Sequence, residues 1–273
     1  MKINKTNKIM YYRPSTKNNL LYIPDWCISD TDVDILLHKE IIIENGIKYH
    51  VFDNLDYTSY KNKLKKSYFA CRWYPILIKN NIPTISSILI KSNILDLRED
   101  LNDYYSNMKS KSDKFIRLCG SSPKDIVDIP IFSNYKTATN ALMNSQRTQN
   151  IIKNYNHCHL FIRDVVNINI ECRCFIHDYK LRAVSVYSYI ELEKRNEYEE
   201  MINEFCIIYK NVLPYNSCVM ELGIDIDFPY IIEFNSFGID GFADASLFNW
   251  DTEYNILYHS QEPEFRYPSK YTW

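Results

Sequence analysis

Two acids and an amide are the residues of this chain whose spacing most directly suggests chemistry. In YIIEFNSFG (230–238), Glu233 and Asn235 stand two apart within an otherwise apolar run. Side chains on a strand alternate between faces, so these two point the same way. A second run, CVMELGID (218–225), sets Glu221 among apolar neighbours. If the two runs form a hairpin centred on Asp227, Glu221 falls opposite Glu233. Met220, Leu222 and Ile224 then share one face of the first strand, and Ile232 with Phe234 one face of the second. Glu221, Glu233 and Asn235 converge on the other side.

Like charges directly opposite one another destabilise a strand pair. A raised pKa, a cationic side chain or a metal ion must offset the repulsion. An all-oxygen donor set suits Mg²⁺, which also takes phosphate oxygens; surface glutamates bridged by lysine or arginine are the other reading. Three arginines interrupt apolar strands: Arg117 in FIRLCG (115–120), Arg163 in LFIRDV (160–165) and Arg173 in IECRCFI (170–176). Glu171 shares a face with Arg173, whereas Cys172, Cys174 and Ile176 share the opposite, apolar one. A single arginine in a strand usually pairs with a carboxylate. Three of them beside three carboxylates and an amide describe a site for phosphates and Mg²⁺.

The elements that must position these groups are legible in outline. IIIENGIKYHVF (41–52) reads as a hairpin about Asn45-Gly46, within an otherwise irregular stretch 1–65. TISSILI (84–90) reads as a buried strand, residues 96–112 as a weak helix and KTATNALMNSQRTQNIIKN (136–154) as one helix. Strands follow at 159–165, 170–178 and 180–189, the last two joined tightly at Asp178-Tyr179. Residues 191–213 form the clearest helix, with Met201, Phe205 and Ile208 on one side. The result is an α+β chain with a mostly antiparallel sheet in its second half.

Composition narrows the class. The 273 residues are 46% hydrophobic, enough for a large core in one domain or two lobes. The net charge of −2 gives no strong nucleic-acid signal. Five basic residues and no acid among the first twenty suggest a solvated basic arm, and YKNKLKK (60–66) a second charge run. Absence of an 18-residue apolar run and of a secretory leader predicts a cytoplasmic protein with no membrane span. Eight cysteines without a CxxC pair read as buried, reduced thiols. Neither a GxGxxG nor a P-loop pattern occurs among the five glycines.

Taken in order, CRWYPILIKNNIPTISSILI (71–90), SSPKD (121–125) after FIRLCG, FIRDVVNINIECRCFI (161–176), IIEFNSFG and SLFNWD (246–251) resemble the cell division cycle 123 (D123) family. The similarity runs from about residue 69 to 255. It implies an ATP-grasp-like fold of two lobes, a small one over about 66–160 and a large one over about 161–258, with a tail at 259–273 and an extension at 1–65. It also implies ATP and Mg²⁺ as cofactors and, as partner, the gamma subunit of eukaryotic translation initiation factor two, on which a monomer would act as an assembly chaperone. Carried over by position, Arg117 takes the place of a phosphate-contacting lysine. Arg163, and the backbone of Phe161, Ile162, Arg163, Asp164 and Val165, fall where the hinge meets adenine and ribose. Glu171 and Arg173 belong to the E-x-R-C-F motif, while Glu221, Glu233 and Asn235 match two aspartates and an asparagine that hold Mg²⁺. Ser236 stands where the family has proline and Tyr187 where it has arginine, and the family's acidic loop is shortened to about 95–103. Trp73, Tyr74 and Pro75 offer an exposed contact patch or a small-lobe core. The alternative function is a carboxylate–amine or carboxylate–thiol ligase, its acceptor pocket lined by His157, His159 or Tyr187.

Overall fold

The computed structural model of the chain describes residues 15–17, 20–24, 40–44, 47–53, 68–93, 95–108, 112–154, 158–225, 228–238 and 243–269. Near the N-terminus, β1 (Ser15–Lys17), β2 (Leu20–Pro24), β3 (Glu40–Glu44) and β4 (Ile47–Asp53) form an antiparallel sheet in the order β1-β2-β4-β3. The expected hairpin is β3–β4, with Glu44 opposite Ile47. Residues 1–65 therefore hold four strands where the sequence reads as largely irregular; runs of three to seven residues carry too little alternation to stand out. The basic run 60–66 and the arm before residue 15 lie outside the described residues.

Helix α1 (Ala70–Lys79) buries Ala70, Trp73, Tyr74 and Leu77, one stripe at helical spacing. Trp73 meets Phe161 and Phe234 edge-on, with ring centroids 5.7 and 5.6 Å away. The Tyr74 hydroxyl donates to the Ser87 carbonyl at 3.0 Å and accepts from the Ser87 N–H at 2.8 Å. Both aromatics are thus core, and only Pro75 of the supposed contact patch is exposed.

Four strands follow in the order β5-β8-β6-β7: β5 (Ser87–Ser92), β6 (Lys114–Leu118), β7 (Ile131–Phe132) and β8 (Cys158–Asp164), all antiparallel. β5 is an edge strand with Ile88 48% exposed, so the buried strand expected at 84–90 is half-covered and begins pairing only at Ser87. Even-numbered side chains, among them Ile116, Leu118, Leu160 and Ile162, pack under α2 (Leu97–Ser106), α3 (Tyr135–Asn144) and α4 (Gln146–Asn154). The stretch read as a shortened acidic loop is largely α2. The single helix expected over 136–154 is two, because Ser145 is extended (ψ 125°). The Asp125 carboxylate accepts from the Ser145 hydroxyl at 2.5 Å and from the Gln146 N–H at 2.7 Å, capping α4 across the break.

The third sheet, in the order β12-β11-β9-β10-β13, comprises β9 (Ile170–His177), β10 (Lys180–Val186), β11 (Cys218–Ile224), β12 (Pro229–Asn235) and β13 (Glu264–Arg266). Only β10–β13 is parallel. Asp178 and Tyr179 turn β9 into β10 at φ 51° and 57°, the tight hairpin expected there. On one face Cys172, Cys174, Met220 and Leu222 pack against α5 (Leu192–Tyr209) through Ile202, Phe205 and Cys206. That stripe is shifted from the expected Met201–Phe205–Ile208, and Ile208 is exposed. On the opposite face Phe175, Ala183 and Val219 meet Leu257 and Tyr258 of α6 (Tyr254–His259). The chain leaving α1 runs along the free edge of β12: the Ile231 N–H donates to the Pro83 carbonyl, and the Thr84 hydroxyl donates to the Ile231 carbonyl, both at 2.8 Å. That edge ties the second and third sheets together. The seven described cysteines are free thiols and six are buried. No helix among the described residues is long and apolar enough to cross a membrane.

Candidate functional site

The odd-numbered faces of the second and third sheets look at one another across a cleft of about 370 Å³. Glu221 stands opposite Glu233 on β12 and opposite Arg173 on β9, as the expected register requires. Beyond Glu221 the pairing shifts by one residue, so Leu222 meets Ile231. This bulge turns Ile231 into the core and Ile232 toward the cleft, correcting the expected Ile232–Phe234 face. The acids keep their positions because the irregularity lies on the turn side of them.

The repulsion between the two acids is offset by cations from both sides. Arg173 Nη2 donates to Glu221 Oε1 at 2.6 Å and Nη1 to Asp244 Oδ1 at 2.5 Å. Arg117, reaching over from β6, pairs with Glu233. The Asn235 amide donates to Glu221 Oε1 at 3.4 Å and to Glu233 Oε1 at 3.3 Å, so the three side chains meet at one point. Glu221 is 7% exposed. Burial and the facing Glu233 push its carboxyl well above the carboxylate range, against the pull of Arg173. Burial also acts upward on Glu233, but Arg117 and the Asn235 hydrogen bond outweigh it and hold that carboxyl low. Glu171 is raised by burial and by Glu233, opposed by Lys124 and Arg173.

Arg163 is 5% exposed. It lies over the Phe161 ring at 4.4 Å, donates through Nη2 to the Ile232 carbonyl, and leaves Nε buried without a partner. Burial and the nearby Arg117 lower its pKa. Arg173 Nε and the Tyr230 hydroxyl are likewise buried and unpartnered. Of the three, only Arg163 lines the cleft.

Of the expected site residues, Arg117, Arg163, Asp164, Val165, Glu171, Glu221 and Glu233 line the cleft. Asn235 and Arg173 adjoin it through Glu221. Asp164 is engaged by Lys114 at 2.5 Å. The Phe161 and Ile162 side chains are buried, and β5 and β6 pair with the strand on both sides there. Of the proposed acceptor residues, His159 sits four residues before Arg163 on β8, opposite Lys91, and Tyr187 packs on Arg173 at 5.5 Å. His157 lies outside the described residues. Sequence reasoning gave no role to Lys124 and Asp128, or to the apolar wall of Ile129, Ile131 and Val166. SSPKD was recognisable as a block, but nothing in its spacing says that its lysine faces Glu171. No group of three or more His, Cys, Asp or Glu side chains arranged to hold a metal occurs among the described residues, each glutamate having an arginine in place.

Two sheets joined at an edge strand and facing each other across a charged cleft define an α+β protein. Two structures of Cdc123 from Schizosaccharomyces pombe share this fold: the first aligns with a TM-score of 0.60 at 19% identity over 76% of this chain and 96% of that one. The second, C-terminally truncated, gives 0.62 at 19% identity over 75% and 96%. No protein-family model matches the chain. In sequence it is 29% identical over 293 residues to a Cdc123-like protein of Acanthamoeba polyphaga mimivirus, covering 91% of this chain and 88% of the relative.

Proposed function

We propose that the interlobe cleft binds ATP with Mg²⁺, and that the protein is an ATP-dependent assembly chaperone for the gamma subunit of eukaryotic translation initiation factor two. The observation that carries the nucleotide reading is the division of the cleft into an apolar wall and a charged floor. Ile129, Ile131, Val165 and Val166 offer exposed apolar surface for a flat ring. Arg117, Arg163 and Lys124 supply cationic donors, one of them with an unpartnered buried N–H, which suits a triphosphate.

Glu221, Glu233 and Asn235 are a hard, all-oxygen set and fit Mg²⁺ by donor chemistry. They would hold the ion where Arg173 and Arg117 now neutralise the acids. The bound ion would offset phosphate charge, and Arg117 would be free to turn from Glu233 to a phosphate oxygen. The client follows from what resemblance to the family implies. Binding energy would drive such a chaperone: ATP, contacting both lobes, favours the state in which they are held together, and that state holds the client.

Capture of purified gamma subunit by the immobilised protein, with and without ATP and Mg²⁺, tests the reading. Retention that rises with the nucleotide is expected. No retention under either condition would contradict the client, and retention indifferent to ATP would contradict the coupling.

A further inference from the structure

Cys71 and Cys119 meet where α1 crosses the end of β6. Cys71, in the first turn of α1, is half-buried, whereas Cys119, just past β6, is 3% exposed. The crossing is close. The Ala70 N–H donates to the Cys119 carbonyl at 3.1 Å. The Phe69 ring covers Gly120 so tightly that a methyl group there would lie 2.4 Å from it. This contact sets Cys71 beside Cys119, and each thiol acts on the other's titration.

Their surroundings divide the chemistry between them. The Cys119 thiol, aided by the charge of Arg72, holds Cys71 below the ordinary thiol range despite partial burial. A position in the first turn of a helix acts in the same direction. Burial pushes Cys119 up, so it stays a thiol until a partner sulfur is presented. Among the remaining cysteines, Cys172 and Cys174, with sulfurs 4.0 Å apart, are fully buried and out of reach of any dissolved oxidant.

We propose that Cys71 and Cys119 are a thiol–disulfide site, Cys71 attacking and Cys119 resolving, with a small soluble disulfide such as oxidised glutathione as the oxidant. The Cys71 thiolate attacks one sulfur of the small disulfide, forming a mixed disulfide and releasing one thiolate. Cys119 then gives up its proton to solvent and attacks Cys71 Sγ, expelling the second thiol. The protein loses two protons and two electrons, and the small disulfide becomes two thiols. The link ties α1 to the strand carrying Arg117, beside a small cavity that Cys119 shares with Arg117, Glu233 and Asn235. The inference needs no particular ligand in the cleft.

The test is incubation of the full chain with oxidised glutathione under native conditions, an alkylating quench, and intact-mass and peptide mapping. Wild type weighed before the alkylating step should be lighter by two hydrogens, about 2 Da, and after it should yield a peptide joining residues 71 and 119 that dithiothreitol separates. Cys119→Ser should stop at a glutathione adduct on Cys71, and Cys71→Ser should show no link at Cys119. An unmodified wild type, or one halted at the adduct, would overturn the proposal, as would a cross-link involving other cysteines. Because wild type alone decides between these outcomes, poor folding of either variant leaves the test intact.

Discussion

The row Arg173–Glu221–Glu233–Arg117 lets two carboxylates face each other on neighbouring strands, each held by a guanidinium from outside the pair. Removing one member exposes the charge of its neighbour. Arg117→Met should destabilise the protein by about 1–3 kcal/mol, and Glu233→Gln by a similar amount, since each leaves a part-buried partner unmatched. The double variant should cost less than the two singles together, by about 0.5 kcal/mol or more, measured by urea unfolding. Strict additivity would mean that the pair is not made in solution. The acids also predict a pH dependence in EDTA. Glu221 binds its proton more tightly folded than unfolded, so its contribution is fully present below its ordinary value of 4.5 and is lost as pH rises toward about 8. Glu233 has the opposite sign: its contribution is present above 4.5 and is lost as pH falls toward about 2. The unfolding midpoint should therefore decline across the neutral range, and Glu221→Gln should flatten that decline.

At the scale of elements, the strands bearing the site are held in register by two local devices. Tyr179 occupies the left-handed region (φ 57°), which costs a side-chain-bearing residue about 1–2 kcal/mol. Tyr179→Gly should accordingly raise stability by up to about 1 kcal/mol, after glycine's larger unfolded-state entropy is taken off; a lower melting temperature would show that the ring is needed. Gly223 lies under the Tyr230 ring, where a Cβ would fall 2.7 Å from the ring carbons. Gly223→Ala should displace Tyr230 at a cost of about 1–3 kcal/mol, read in the same unfolding assay. These devices also mark how far the sequence could be read. The Glu221–Glu233 pairing was legible because alternation and a constant residue sum need only the hairpin. The bulge beyond it was not, since its extra residue falls in the unbroken apolar run Tyr230–Ile232, and so Ile232 was assigned to the wrong face. The break at Ser145 was hidden for a different reason: its cause, the Asp125 carboxylate, lies twenty residues away in sequence. The cysteine and isoleucine faces of β9 and β11 were plain, whereas the burial of Trp73 depends on Phe161 and Phe234 from two distant strands.

For the whole molecule, the second and third sheets meet through Pro83–Thr84 on the edge of β12, through the Trp73 cluster and through the Arg117–Glu233 pair. A ligand spanning the cleft would contact both lobes at once, so it should stabilise the fold as a unit. At a hundred times its Kd, such a ligand adds about 2.7 kcal/mol, which for a chain of this size corresponds to roughly 5–10 °C. The most direct test is thermal unfolding of the purified protein in four conditions: alone, with ATP in EDTA, with Mg²⁺ alone, and with both. The account predicts an upward shift of several degrees only when ATP and Mg²⁺ are present together. Its loss in Glu233→Gln, compared with that variant's own ligand-free midpoint, would tie the shift to the carboxylate pair. An unchanged wild-type midpoint in the presence of both would contradict the claim that this cleft is a nucleotide site.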